Sequence, residues 1–128
     1  MLQEAVVVLV VDDEEMVREN LQAYLEDEGF RVITASSAEE ALDLLAYETP
    51  QASIIDMRLP GMSGNDFIVQ AHALYPDLAY LVHTGSTDYR LPNDVRASGV
   101  TPDDVFIKPV QNMGDLVVAI LRHVKRTE

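Results

Sequence analysis

The chain has 128 residues, 48% of them hydrophobic, and a formal net charge of −13 at pH 7, which is enough apolar material for one core and one domain. It contains no cysteine, so disulfide frameworks, thiolate metal sites and cysteine nucleophiles are excluded together. The acidic balance argues against unaided binding to nucleic acid or anionic membrane, since both reward clustered Lys and Arg.

The first residues, Met1-Leu2-Gln3-Glu4, precede an apolar stretch over residues 5–11 but supply neither a basic n-region nor a small-residue cleavage site, so no signal peptide is expected. No apolar run approaches the ~20 residues that span a bilayer, and a soluble, cytoplasmic domain is the expectation. Residues 6–11 form an unbroken apolar run rich in β-branched side chains, which suits a strand covered on both faces. Val17, Leu21, Tyr24 and Leu25 then fall on one helical stripe that ends at Gly29, a residue suited to a helix C-terminus. Residues 31–35 read as a second strand. Ser36-Ser37-Ala38-Glu39-Glu40 offers two overlapping capping-box registers ahead of a helix with Ala38, Ala41, Leu42 and Leu45 inward.

Residues 52–55 form a third strand ending at Asp56, and Leu59-Pro60-Gly61-Met62-Ser63-Gly64 has the composition of a tight loop. Ser63, with Asp66 three residues on, can cap a helix bearing Phe67, Ala71 and Leu74, closed by Tyr75-Pro76-Asp77. A fourth strand, 79–83, finishes at Thr84-Gly85, and a fifth, 105–107, at Lys108-Pro109. The last helix follows an Asn112 cap and sets Met113, Leu116, Val117, Ile120, Leu121 and Val124 on one face. Strands separated by helices imply a (βα)5 parallel sheet with right-handed crossovers, and the absence of repeats or linkers makes residues 1–128 one domain.

In that arrangement the polar residues of interest fall where strands end: Asp12-Asp13, Asp56, Thr84 and Lys108. The carboxyl ends of parallel strands line one edge of the sheet, where ligands bind, so these separated positions converge on one pocket. Neighbouring carboxylates repel by roughly 4 kcal/mol per pair at 4 Å and an effective dielectric near 20. A hard divalent cation relieves that repulsion, and Mg²⁺ suits carboxylate and carbonyl oxygens. A carboxylate so neutralised is a competent phosphoryl acceptor, with Lys108 supplying a cation and Thr84 a hydroxyl donor. Taken singly, each residue has an ordinary alternative: Asp-Asp as a solvated turn or cap, Thr-Gly as a turn, Lys-Pro as surface. Their joint placement carries the reading.

These positions make the chain resemble the receiver domain of two-component response regulators over nearly its whole length. That family has an acidic pair after the first strand, an acceptor Asp after the third, Ser or Thr after the fourth and Lys-Pro after the fifth. Residues Asp56-Met57-Arg58-Leu59-Pro60-Gly61-Met62-Ser63-Gly64 resemble the family's acceptor loop. The resemblance implies a flavodoxin-like doubly wound sheet of order 2-1-3-4-5 and Asp56 as phosphoacceptor, served by Thr84 and Lys108. It also implies Mg²⁺ held directly by Asp13 and Asp56, by Asp12 largely through water, and by the Met57 backbone carbonyl. A sensor histidine kinase or phosphotransfer protein is the implied donor. Phosphorylation is expected to switch the surface of the fourth helix, fifth strand and fifth helix, through which a downstream protein or a second copy in a homodimer would dock. The chain is then a signalling module and not an enzyme in the usual sense.

Several positions depart from the family pattern. The aromatic three residues before the Lys is replaced by Val105, with Phe106 one position on and on the opposite strand face. Pro92 shortens the fourth helix to about residues 92–98, and the connection over residues 100–104 is long. Arg58 and Ser86 occupy places that in the family tune access of water to the phosphoryl group. His72, His83 and His123 are scattered, which fits core or surface roles better than metal binding or phosphotransfer. Two other classes remain open on the residues alone. An aspartate-nucleophile phosphohydrolase would carry a DxD-type motif, which Asp12-Asp13-Glu14 does not match, and a receiver-like docking module would not accept phosphate. After Arg122 the chain carries no recognisable output segment, which leaves a stand-alone regulator and a piece of a longer protein both open.

Overall fold

The computed structural model describes residues 5–126, with side chains through residue 124. Met1-Leu2-Gln3-Glu4, on which the expected lack of a signal peptide rests, lie outside the described residues, as do Thr127 and Glu128. Strands and helices alternate as β1 (Val7–Val11), α1 (Glu15–Asp27), β2 (Arg31–Ala35), α2 (Ala38–Leu45), β3 (Ala52–Asp56), α3 (Gly64–Leu74), β4 (Ala79–Thr84), α4 (Asn93–Ala97), β5 (Val105–Ile107) and α5 (Gly114–Arg126). All paired strands are parallel, in the order β2-β1-β3-β4-β5, the flavodoxin-like arrangement expected from the sequence. Among the described residues no helix is long and apolar enough to cross a membrane.

Because side chains alternate along a strand, the central strands feed two cores. Leu9, Val11, Ile55, Tyr80 and Val82 meet Ala38, Ala41, Leu45, Phe67, Ile68, Ala71 and Val95 on the face covered by α2, α3 and α4. Val8, Val10, Ile54 and Leu81 meet Leu21, Leu25, Leu116, Ala119 and Ile120 under α1 and α5. Each large side chain so buried contributes about 1.5–3 kcal/mol.

Helix starts follow the local chemistry. The Ser37 hydroxyl accepts from the Glu40 N–H at 3.0 Å, while the Glu40 carboxylate reaches one residue further back, to the Ser36 N–H at 2.6 Å, so of the two registers the Ser37/Glu40 one forms the cap, and Glu39 turns instead to the Met62 N–H. Those bonds to Ser36 hold the Glu40 carboxyl below its ordinary range. Ser63 caps α3 through the Asp66 N–H at 3.1 Å, and the Asn112 side chain accepts from the Gly114 N–H at 3.0 Å.

Two apolar positions depart from the expected faces. Leu74 is 63% exposed, whereas Ile68 is buried: the strip of α3 that meets the sheet runs through Gly64, Phe67, Ile68 and Ala71, and Leu74 lines an open groove with Leu45 and Pro50. Leu121 is exposed and Ala119 buried; the strip of α5 that meets the sheet runs through Leu116, Ala119, Ile120 and Val124, one residue short of Leu121. Helix α4 is shorter than the expected 92–98, with Pro92 as its N-cap and Ser98 closing it.

The long connection before β5 contains a 3-10 turn, Pro102–Asp104. Asp104 is fully buried and accepts from the Thr101 N–H at 3.0 Å and hydroxyl at 3.1 Å. Its other oxygen faces Arg122 Nη2 at 3.2 Å and His123 Nε2 at 2.8 Å. One carboxylate therefore ties the entry of β5 to α5, a role for His123 and Arg122 that residue spacing did not disclose. Truncating one partner of a buried charged network leaves the others unsatisfied and costs about 3–5 kcal/mol. Asp104→Ala is accordingly expected to lose stability of that order in urea unfolding. A variant as stable as the parent would contradict the assignment.

Candidate functional site

The parallel register brings Asp12, Asp13, Asp56, Thr84 and Lys108 to one edge of the sheet. Asp12 follows β1, and its N–H extends the ladder to Ala35 O at 3.1 Å. Its carboxylate is almost wholly buried: Oδ1 accepts from the Glu14 N–H at 2.9 Å, and Oδ2 accepts from Lys108 Nζ at 2.8 Å. Asp56 is the last residue of β3 and is 5% exposed. Its Oδ1 accepts from the Arg58 N–H at 3.2 Å and lies 3.6 Å from Lys108 Nζ. Asp13 is exposed, yet Asp12, Asp13 and Asp56 each present a carboxylate oxygen within 4.8 Å of the others.

Lys108 arrives from the far edge of the sheet. Its N–H donates to Thr84 O at 2.7 Å, so the end of β5 stays registered on β4, and the Lys108-Pro109 peptide is cis. The Lys108 ammonium also lies 3.8 Å from Glu14 Oε1. Thr84, buried at the end of β4, accepts from the Ser86 N–H at 3.1 Å through its hydroxyl oxygen. A hydroxyl that accepts in this way still has its own proton to donate.

The Met57 carbonyl accepts from the Gly64 N–H at 3.3 Å, which uses one of its two lone pairs and leaves the other. That close approach of α3 requires glycine: a Cβ at Gly64 would overlap the Asp56 carbonyl oxygen and the Met57 side chain. Gly61, at φ +75°, turns the same loop, and the Met62 N–H donates to Glu39 of α2 at 3.1 Å.

The charges do not balance. Three carboxylates face one ammonium. Burial pushes the Asp56 carboxyl above its ordinary range; the Arg58 N–H opposes this, Asp12 adds to it, Lys108 opposes it, and Asp13 adds to it. Burial alone would depress Lys108, but the hydrogen bond and charge of Asp12, joined by Asp56 and Glu14, hold it above its ordinary value. The residues around Asp56 thus offer oxygen donors only, with excess negative charge and one exposed side at Asp13, a set that fits a hard divalent cation.

Two participants escaped the sequence. Arg18, on the first turns of α1, donates through Nη1 to the Asp12 carbonyl at 2.8 Å, and Glu14 joins the field around Lys108; the only signal for either was its proximity to the acidic pair. Arg58 projects its side chain outward, and it is its N–H that meets Asp56. His83, paired in register with Asp56, is buried with its Nδ1 lacking a partner; burial foremost, and then Lys108, pushes its pKa down to about 4, so the ring is neutral at neutral pH. His72 packs edge-on against Tyr80. Phe106 packs with the α1/α5 core and Val105 with the α2–α4 core, as strand alternation requires, so Phe106 does not take the place of the missing aromatic.

Fold and site together define a receiver-type module, and comparison with known proteins gives the same class. The family model of the response regulator receiver domain matches residues 8–121, and the chain belongs to that family. It is 41% identical over 81 residues to the hydrogenase transcriptional regulatory protein HoxA of Cupriavidus necator, an alignment covering 63% of this chain and 17% of HoxA. It is 39% identical over 102 residues to the response regulator MprA of Mycolicibacterium vanbaalenii, covering 80% of this chain and 43% of MprA. The chain thus spans less than half the length of either relative. Among solved structures, the response regulator TrrA of Thermotoga maritima, in complex with Mg(2+)-BeF, superposes with a TM-score of 0.80 at 27% identity, covering 92% of this chain and 98% of that one.

The raised Asp56 pKa has a consequence for stability. The folded state holds this proton more tightly than the unfolded chain, so the ionised carboxylate opposes folding once pH exceeds the folded value, and that opposition disappears as pH falls below the unfolded value. Asp56→Asn is therefore expected to be more stable than the parent at pH 7, by roughly 0.5–2 kcal/mol, with the difference shrinking on acidification through the carboxylate range. Urea unfolding at a series of pH values measures it, and a gap that widens at low pH would contradict it.

Proposed function

We propose that the chain is the phosphoacceptor domain of a two-component system, in which a sensor histidine kinase or phosphotransfer protein donates a phosphoryl group to Asp56 in a Mg²⁺-dependent reaction. The observation that carries this reading is the placement of Asp56 beside Asp12 and Asp13 with Lys108 Nζ 3.6 Å away. The residues assigned to Mg²⁺ are Asp12, Asp13, Asp56 and the Met57 carbonyl. Bound there, the ion supplies positive charge against the transferring group; the similar TrrA, described with Mg(2+)-BeF, supports the assignment.

An Asp56 carboxylate oxygen forms the new O–P bond as the P–N bond to the donor imidazole breaks, and the electron pair of that bond returns to the imidazole nitrogen. Lys108 shifts from its bond with Asp12 toward a phosphoryl oxygen, and the Thr84 hydroxyl donates its proton to another. By analogy with other phosphorylated side chains the phosphoryl group carries roughly −1.5 to −2 charge at neutral pH, in place of the single charge of the carboxylate it caps and further toward Lys108 and Thr84, so both movements are downhill. Because Lys108 and Thr84 lie at the ends of β5 and β4, their displacement alters the surface of α4, β5 and α5. A downstream protein, or a second copy in a homodimer, reads the change there. In this reading residues 1–128 are one receiver domain working in the cytoplasm.

The test is to incubate the protein with Mg²⁺ and acetyl phosphate and follow its mass. A phosphoryl adduct is expected that is absent after chelation of the metal and in Asp56→Asn, but present in the control Asp66→Asn. An adduct of equal yield in Asp56→Asn would move the acceptor elsewhere.

A further inference from the structure

The chain leaves β4 at Thr84 and crosses the sheet edge before reaching α4. Three hydrogen bonds run along this crossing. The Ser86 N–H donates to Thr84 Oγ1 at 3.1 Å, the Tyr89 N–H to Ser86 O at 3.3 Å, and the Tyr89 hydroxyl to Asn65 Oδ1 at 2.6 Å. Asn65 is the second residue of α3, directly after the Gly64 that abuts Asp56 and Met57. The half-buried Tyr89 ring packs, as do Leu91 and Val105, against the core under α2, α3 and α4. Burial, reinforced by the Asp94 carboxylate, pushes the Tyr89 pKa up, so the phenol keeps the proton it donates.

We infer that Tyr89 is a positioning residue for Thr84, whose bond to Asn65 holds the Thr84–Ser86 turn in its resting place and yields when Thr84 moves toward a phosphoryl group on Asp56. The coupling is mechanical. The Thr84 hydroxyl oxygen is bound to the Ser86 N–H, so Thr84 cannot advance without breaking that bond or drawing Ser86 with it. The Ser86 carbonyl in turn carries the Tyr89 N–H. The side chain of Tyr89 is anchored on α3, an element fixed against the acceptor loop by the close packing of Gly64. The Tyr89 hydroxyl makes a short bond that joins the β4–α4 and β3–α3 connections. The consequence for Thr84 rests on the phosphoacceptor reading of Asp56, whereas the restraint itself does not.

Tyr89→Phe, Asn65→Ala and the double variant separate the two. Without ligand, amides of residues 86–89 are expected to exchange hydrogen about two- to tenfold faster in Tyr89→Phe, the factor one net hydrogen bond gives. Beryllofluoride with Mg²⁺, titrated against each protein, is expected to bind more tightly by a similar factor in either single variant, because the competent conformation is more populated. The double variant should gain no more than one single. Unchanged exchange and affinity in Tyr89→Phe, or gains that multiply in the double variant, would overturn the inference. Faster exchange in a protein whose parent takes up no beryllofluoride would overturn the phosphoacceptor reading and the coupling to Thr84 together; unchanged exchange in a parent that does bind it would overturn the role of Tyr89 alone.

Discussion

One ammonium group organises this molecule. Lys108 Nζ lies 2.8 Å from Asp12 and 3.6 Å from Asp56, and it is the cation that makes two buried carboxylates tolerable side by side. Its position depends on long-range structure: β1, β3 and β5 must be parallel and in register for side chains 96 positions apart in sequence to meet. The lysine does not neutralise the site, since Asp13 adds a third carboxylate and Glu14 stands behind it. Burial first, and then the neighbouring carboxylates of Asp12 and Asp13, raise the Asp56 pKa, so the residual negative charge adds to a cost that desolvation already sets.

Much of the site was legible in the sequence because its residues sit at the ends of apolar runs, and in a parallel sheet such ends share one edge. The alternation of strands and helices, the caps at Ser37 and Ser63, and the convergence of Asp12, Asp13, Asp56 and Lys108 follow from local patterns that agree with one another, while the strand order came from the family resemblance. What was illegible depended on where helices stop relative to the sheet. Leu74 and Leu121 carry the right periodicity but lie beyond or beside the covered strip. Arg18 contributes through a backbone carbonyl, a contact that no spacing rule announces. The Asp104 network is similar: an acidic residue in a Pro-containing connection reads as solvated loop, and only the packing of α5 shows it to be buried.

The departures from the family pattern cluster on one side of the site. Val105 stands where an aromatic is usual, α4 is a five-residue helix, and a 3-10 turn anchored on Asp104 precedes β5. These features leave the carboxylate pocket intact while changing the connection between it and the α4/β5/α5 surface. Tyr89, from the β4–α4 connection, and Val105 pack against the same core, so aromatic surface reaches that region from a loop instead of from the strand. The carboxylate pocket and the α4/β5/α5 surface are therefore built separately: the first from residues fixed by the strand ends, the second through the connections that carry Tyr89 and Asp104.

The charge imbalance at the strand ends is the claim on which everything else rests, and the dependence of unfolding on Mg²⁺ tests it directly. A ligand that binds only the folded state raises stability with its concentration, so the urea midpoint of the parent should climb with added Mg²⁺, while that of Asp13→Asn combined with Asp56→Asn should stay level. A parent indifferent to Mg²⁺, or a double variant that gains as much as the parent, would mean that these carboxylates do not form a metal-binding centre.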